Sequence, residues 1–513
     1  MTLINKFIRI IFSRWTIGIL FLLVQLAILI LCFQLFNRYV VWLFGGFNVL
    51  SILIVLYLIN SKTNSSYKIG WIVPLLIFPV LGVVIFLMYR LQIKTKLILK
   101  KIYYEHEKAK KYLVQDTKVK NNILNEDKRV YNLCEYLYNN GGYPVYFCDS
   151  VKYFKDGESK FDDLLVELKK AKKFIFLEYF IINKGFMWNT ILDILKEKVM
   201  EGVEVRVMYD GMGTFKALPY NYPEELRKNG INCKVFFPMK LELSFHQNNR
   251  DHRKIAVIDG KVAYTGGINL ADEYINKKER FGHWKDTAIK IKGKSVNSLT
   301  MMFLEMWNVE NKKTEEYKIY LNDEIEDYNY EQGYVVPYGD RPLDEYHTGK
   351  TVYMDILNTA QDYVDIITPY LILDDELLSA INYAASRNVK VRIIMPHIPD
   401  KKSAYYLGRS YYRDLIESGV EIYEYKKGFT HAKMFISDNN KAVVGTINLD
   451  YRSLYLHFEC ACYIYKNRVI KDIQKDFDDT ISKCIRITMK QVNEYSIIKR
   501  IIGRVLRFLA PLM

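Results

Sequence analysis

Cysteine is sparse and unpatterned in this chain. Seven occur among 513 residues, and Cys32 lies inside a long apolar run. None falls into the paired spacing of a disulfide framework, and Cys460-x-Cys462, on a predicted strand, has the wrong spacing for zinc. A disulfide-stapled scaffold is thereby excluded and a reducing compartment expected. A Gly-x4-Gly-Lys phosphate loop is also missing, which removes the P-loop nucleotide enzymes. The Asp-Gly-x2-Ala-Arg pattern of cytidine-diphosphate-alcohol chemistry is broken, because Asp259-Gly-Lys-Val-Ala is followed by Tyr264. Acidic residues are the scarcer sign, 58 against 73 Lys and Arg, and the net charge of +15 suits an anionic partner.

Charge of either sign disappears altogether from three stretches near the start. Residues 15–36, 39–60 and 69–89 carry none. At 1.5 Å per residue each would make a helix of about 32 Å, enough to cross a bilayer. Successive apolar segments without a small-residue cleavage site argue against a removed signal peptide. The region 1–100 is therefore expected to be an integral membrane segment of two or three hydrophobic helices, and anionic membrane lipid is a better partner than nucleic acid. Lys6, Arg9 and Arg14 favour a cytoplasmic N-terminus. Arg90, Lys94, Lys96, Lys100 and Lys101 favour a cytoplasmic catalytic part. Three full crossings cannot satisfy both, so two effective crossings, or an external N-terminus, are expected in a multi-pass cell-membrane protein.

What the rest of the chain does contain is one spaced pattern written twice. His252, Lys254, Asp259, Gly266 and Asn269 recur as His431, Lys433, Asp438, Gly445 and Asn448, with identical internal offsets. A phosphodiester is anionic and resists nucleophiles. Cleaving it needs a nucleophile, charge neutralisation at the phosphoryl oxygens and a proton for the leaving alkoxide. One neutral His can attack phosphorus while a second, protonated, serves the leaving oxygen. Residues i and i+2 share a face of a strand, so each His and its Lys point into one cleft. Asn269 and Asn448 follow Gly-rich turns and could donate amide hydrogens to the same oxygens. Asp286 and Glu459, each opening an alternating strand, are the candidate carboxylates that orient the histidines. Asp259 and Asp438 complete the catalytic motif and are read as holding the turn after the strand. The residues by themselves do not say which His attacks.

The doubled pattern resembles that of the phospholipase D superfamily, with Thr446 where Ser is usual. The resemblance narrows to the bacterial cardiolipin synthases through residues 61–82 (SKTNSSYKIGWIVPLLIFPVLG), 248–274, 368–376 (TPYLILDDE), 400–433, 445–459 (GTINLDYRSLYLHFE) and the closing RFLAPL. It implies one active site between two repeats, a covalent phospho-histidine on His252, His431 as general acid, and no metal or other cofactor. It also implies transfer of a phosphatidyl group between two phosphatidylglycerol molecules, giving cardiolipin and glycerol. Hydrolysis to phosphatidic acid, transfer to another alcohol, a nuclease and a non-catalytic scaffold are the rivals.

Apolar strand-like runs alternate with helical stretches in both halves. The expected fold is α/β: two α/β/α phospholipase D-like repeats in a pseudo-twofold pair, preceded by transmembrane helices. The repeats are placed at 118–312 and 346–490, with an acidic, solvated connector at 313–345. Residues 491–513 are expected to form a basic amphipathic helix, lying either in a lipid headgroup layer or against the enzyme's own body.

Overall fold

The computed structural model describes residues 23–30, 37–90, 93–147, 149–238, 248–309, 311, 315–322, 332–342 and 346–512. The chain divides into two compact units, residues 1–93 with 508–513, and residues 94–507.

In the first unit, α1 (Asn37–Asn60) is predominantly apolar, and its Val41–Asn60 part, which carries no charge, is long enough to cross a membrane. Of the expected 15–36 helix, residues 23–30 are helical and the remainder lies outside the described residues. The expected 69–89 helix is not one span. It is two short helices, α2 (Ser65–Ile77) and α3 (Pro79–Arg90), broken at Phe78. Proline is the reason: Pro79 has no N–H and disfavours helical geometry at Phe78. Thirteen and twelve residues give about 18–20 Å each, short of a crossing. The two pack closely, since a Cβ on Gly82 would lie 2.8 Å from Leu75 Cα. Ile54, Leu58, Trp71, Leu75, Val83 and Phe86 form the core of this bundle. The missing Pro79 N–H deprives the Leu75 carbonyl of its helical donor, and the buried Ser51 hydroxyl of α1 donates to that carbonyl instead, at 2.7 Å. In apolar surroundings such a carbonyl must find a partner.

The second unit contains two mixed sheets. The first is built from β1 (Ser150–Phe154), β2 (Phe174–Tyr179), β3 (Glu204–Asp210), β4 (Asn232–Phe236), β5 (Lys254–Ile258), β6 (Val262–Gly266) and β7 (Ala288–Lys292). The second contains β8 (Tyr334–Asp340), β9 (Tyr363–Ile367), β10 (Lys390–Pro396), β11 (Glu421–Tyr425), β12 (Met434–Ser437), β13 (Lys441–Gly445), β14 (Glu459–Tyr465) and β15 (Cys484–Ile487). The spatial order is β1-β7-β6-β5-β2-β3-β4 in one and β8-β14-β13-β12-β9-β10-β11 in the other, with the same parallel and antiparallel pairings. Each strand of the first sheet thus has its counterpart seven strands later. The second sheet adds Tyr146–Phe147 beside β8 and β15 beside β11.

Helices α4 (Phe186–Met200) and α6 (Asp375–Ser386) make the parallel crossovers β2 to β3 and β9 to β10. Helix α5 (Val296–Asn308), almost wholly buried, packs on β5, β6 and β8. Helix α9 (Val469–Ile481) packs on β1, β11, β12 and β13. Each of these closing helices therefore touches both sheets. The sheets also meet directly: Thr265 Oγ1 on β6 and Cys460 Sγ on β14 are 3.2 Å apart.

Two boundaries differ from the sequence reading. Strand β8 falls inside the expected 313–345 connector. Its seven residues are buried and pair in full with β14, so the second sheet begins at Tyr334. Its Pro337 lies beyond the two-residue strand at its other side, where a missing N–H costs no ladder bond. The C-terminal region, expected as one helix, contains α10 (Met489–Glu494) and α11 (Ile497–Leu509), preceded by α7 (Lys402–Arg409) and α8 (Tyr412–Glu417), on which they rest.

Replacing Ser51 by Ala removes the only side-chain donor seen at the Leu75 carbonyl among the described residues. The expected cost is about 1–2 kcal/mol, read as roughly tenfold faster amide exchange at Phe78 and Gly82 in nanodisc-embedded protein. Unchanged exchange would show that the bond contributes nothing to holding the hairpin.

Candidate active site

The two motif histidines sit just ahead of β5 and β12, where the two repeats meet. Their backbones are tied across that junction. His252 N–H donates to Phe458 O at 2.9 Å, and His431 N–H donates to Lys285 O at 2.7 Å. The second tie continues a short parallel pairing of His283–Lys285 with Gly428–Thr430. The side chains are tied the same way. His252 Nδ1 lies 2.9 and 3.0 Å from the carboxylate oxygens of Glu459, and His431 Nδ1 lies 2.8 Å from Asp286 Oδ2. Each carboxylate orients the histidine of the other repeat, a crossing that chain order does not reveal. With Nδ1–H donating to a carboxylate, Nε2 of each ring keeps its lone pair.

Glu459 is held from several sides. Thr446 and Ser453 donate their hydroxyls to it, Ser453 at 2.7 Å. Thr446 occupies the position where Ser is usual in the motif, and the hydroxyl is what the site uses. The corresponding position of the first repeat is Gly267, where a Cβ would lie 2.0 Å from Asp286 Oδ1. The Asp286 carboxylate fills that space and also accepts from Thr287 N–H at 2.8 Å.

Lys254 and Lys433 bend back to donate to the carbonyls of His252 and His431, Lys254 at 2.5 Å. His and Lys of each motif therefore share a strand face. All four groups are nearly buried, and burial sets their electrostatics. It lowers Lys254 to about 8 and Lys433 to about 7, with nearby carboxylates resisting the change. Burial and then Lys433 bring His431 to about 4, against the opposing pull of Asp286. Burial, followed by Lys254 and Lys433, holds His252 well below its ordinary value. Burial opposes ionisation of Asp286 too, yet His431 and Lys433 keep that carboxyl below the usual range. The cleft thus holds two neutral imidazoles and two lysines whose charged forms burial disfavours. Such a place favours an entering anion.

Asn269 and Asn448 lie beside these groups, each already engaged. Asn269 accepts from Ile181 N–H at 2.9 Å and donates to Tyr274 Oη at 2.7 Å. Asn448 donates to Ser453 Oγ at 3.1 Å. One amide hydrogen on each remains for a ligand. Asp259 and Asp438, counted with the catalytic motif from sequence, stand at the far ends of β5 and β12. Each accepts three backbone N–H bonds, from residues 172–174 and 361–363, at the start of the neighbouring strand. Both have positive φ, 54° and 51°, as the turn requires. Their role is to hold β5 to β2 and β12 to β9.

Several residues at the site were not singled out from sequence. The Phe180 ring lies 4.9 Å from the His252 ring, and Tyr274 and Trp284 each lie 5.5 Å from His431. No local signal marks them. His457 is more conspicuous, two residues before Glu459. Its ring is 5.5 Å from His252, and its Nδ1 is 3.8 Å from Glu459 Oε1. His252, His457 and Glu459 offer three ligand atoms within 4.8 Å of one another, the one such trio among the described residues. The hydrogen bond between His252 and Glu459 already engages two of its members.

A family model described as "Cardiolipin synthase, PLD-like domain" matches residues 164–307 and 353–481, one match within each repeat. The chain belongs to that family. A second model, "Phospholipase_D-nuclease N-terminal", matches residues 49–90. A cardiolipin synthase of Geobacillus sp. is 34% identical over 478 residues, covering 92% of this chain and 94% of that one. One from Oceanobacillus iheyensis is 33% identical over 475 residues, with coverage of 91% and 97%. An uncharacterized protein of Streptococcus mutans is 50% identical over 460 residues, with coverage of 90% and 99%. In fold, the chain is similar to the crystal structure of a phosphatidylserine synthase from Haemophilus influenzae, with a TM-score of 0.55 and 16% identity over 75% of this chain and 98% of that one. Family membership makes this a phospholipase D-type phosphatidyltransferase, cardiolipin synthase-like, acting on phospholipid.

The depressed His431 value has a consequence for stability. The folded ring titrates near 4 and the unfolded side chain at 6.5, so between those values the unfolded state binds the extra proton. Stability of the empty enzyme should fall as pH drops from 6.5 towards 4, and His431→Gln should flatten that part of the curve. Melting curves across that window check it; parallel curves for both proteins would contradict the buried neutral imidazole.

Proposed function

We propose that the enzyme is a cardiolipin synthase that transfers a phosphatidyl group from one phosphatidylglycerol to a second. The observation that carries this reading is the crossed pair of His–carboxylate contacts, which puts two imidazoles with free Nε2 atoms and two lysines in one buried cleft. His252 Nε2 attacks phosphorus of the first lipid and the bond from phosphorus to the glycerol headgroup breaks. His431 gives its proton to the departing glycerol oxygen. The hydroxyl of the second lipid then attacks the phosphatidyl-histidine, His431 takes its proton, and the P–N bond breaks. Lys254 and Lys433 balance the phosphoryl oxygens, with Asn269 and Asn448 as amide donors. An arriving phosphodiester offsets the ammonium charges that help hold His431 neutral, so substrate binding favours the protonated acid the first step needs. Glu459 and Asp286 fix the ring tautomers. One phosphate ester replaces another, so no nucleotide is required. Exclusion of water from the cleft directs the phosphatidyl group to the alcohol.

We further propose that the protein crosses the cell membrane twice, through residues 15–36 and α1, with α2 and α3 as a re-entrant hairpin. This arrangement satisfies the basic residues before the first run and those at 90–101 together, leaving both the N-terminus and the catalytic part in the cytoplasm. A reporter fused after Met513 that functions only outside the cytoplasm would reject this topology.

Purified protein in phosphatidylglycerol vesicles, without nucleotide or added metal, should yield cardiolipin and free glycerol by mass spectrometry. His252→Ala and His431→Ala should each lower the rate on the order of 10⁴-fold or more. Glu459→Gln and Asp286→Asn, which keep shape but disturb the tautomer, should each cost on the order of 10³-fold. Phosphatidic acid as the sole product would mean that water is the acceptor. Full activity in either alanine variant would overturn the shared two-histidine site.

A further inference from the structure

Helix α11 lies the wrong way round for a helix of a water-soluble body. Its apolar stripe points outward: Ile497 and Ile498 are 65% and 71% exposed, and Ile501, Ile502 and Val505 are exposed with them. Its one buried residue through Arg507 is Gly503, where a Cβ would lie 2.5 Å from the Tyr406 carbonyl of α7. Between this helix and α7, α8 and α10 is a cavity of about 190 Å³, lined with Arg409, Arg413, Lys499, Arg500, Arg504 and Arg507. Three of these are engaged within the protein. Arg409 pairs with the buried Glu424, Arg507 pairs with Asp414 at 2.8 Å, and Arg413 meets Asn493 and Glu417. Among the described residues, Lys499, Arg500 and Arg504 have no carboxylate partner, though Lys499 lies over the rings of Tyr406 and Tyr495 at 5.9 and 5.6 Å. The apolar stripe and these three cations occur on one thirteen-residue helix.

We propose that α11 and this basic cavity form an anionic-phospholipid site separate from the reaction cleft. The apolar stripe enters the acyl boundary of a leaflet, and Lys499, Arg500 and Arg504 take lipid phosphates. Charge complementarity favours a bilayer over a protein partner: a chain of net charge +15 keeps these three cations beside an exposed aliphatic stripe. The alternative left open by the sequence, an apolar face packed on the enzyme's own body, is not what the helix does. The inference rests on the membrane association proposed above, and its test does not depend on turnover.

The test uses the full chain in nanodiscs, with Ile498→Cys carrying an environment-sensitive fluorophore and unsubstituted protein labelled in parallel as background. In discs containing phosphatidylglycerol, emission should be blue-shifted and quenched by nitroxide on the lipid acyl chain. In purely zwitterionic discs, and in the triple variant Lys499→Glu, Arg500→Glu, Arg504→Glu, the quenching should fall at least severalfold. That variant should raise KM for lipid at low anionic content while kcat stays the same. Water-like emission in anionic discs would overturn the proposal. A blue shift without lipid quenching would mean that protein covers the stripe and would also overturn it. Equal quenching with and without the three cations would refute the headgroup site.

Discussion

Everything at the candidate active site depends on two hydrogen bonds that cross from one repeat to the other. Glu459 of the second repeat holds His252 of the first, and Asp286 of the first holds His431 of the second. Both histidines are also fixed through their backbone N–H groups to Phe458 and Lys285, again across the junction. The matched sheets make this possible, because the same strand order brings the same ends of β5 and β12 together. The two closing helices, each touching both sheets, hold that junction shut.

Burial then gives the residues their chemistry. In water, two lysines and two histidines would be solvated independently. Inside the junction the lysines lose hydration, and with desolvation they depress the imidazoles they accompany. The result is a cleft in which each lysine, among the described residues, is hydrogen-bonded to a backbone carbonyl and not to a carboxylate, while Asp286 and Glu459 are committed to the rings. An incoming phosphodiester supplies what is missing. The same logic recurs on a different scale in the first unit, where a carbonyl that proline leaves without a donor is met by Ser51.

The duplicated spacing made the two-repeat architecture legible, and with it the gathering of His252, Lys254, His431 and Lys433 at the junction, because identical offsets constrain strand, turn and strand together. The structural role of Asp259 and Asp438 was also readable from their position after the strand. Three things were not. The exchange of carboxylates is a long-range contact with no local signature. Strand β8 was hidden by the acidic residues that precede it, although all seven of its own residues are buried. The break at Phe78 was overlooked because hydropathy averages across Pro79, whereas backbone geometry does not. The aromatic neighbours Phe180, Tyr274 and Trp284 come from separate elements and carry no pattern at all.

The crossing also has a kinetic side. His252 and Glu459 are separated by 207 positions, and His431 and Asp286 by 145. Contacts so distant along a chain form late during folding, after the local strand pairs and crossovers are in place. On the ribosome, the apolar helices emerge first and the first repeat can assemble its sheet, but His252 has no carboxylate until Glu459 has been made. The crossed pairs are therefore complete only once the whole chain has closed on itself.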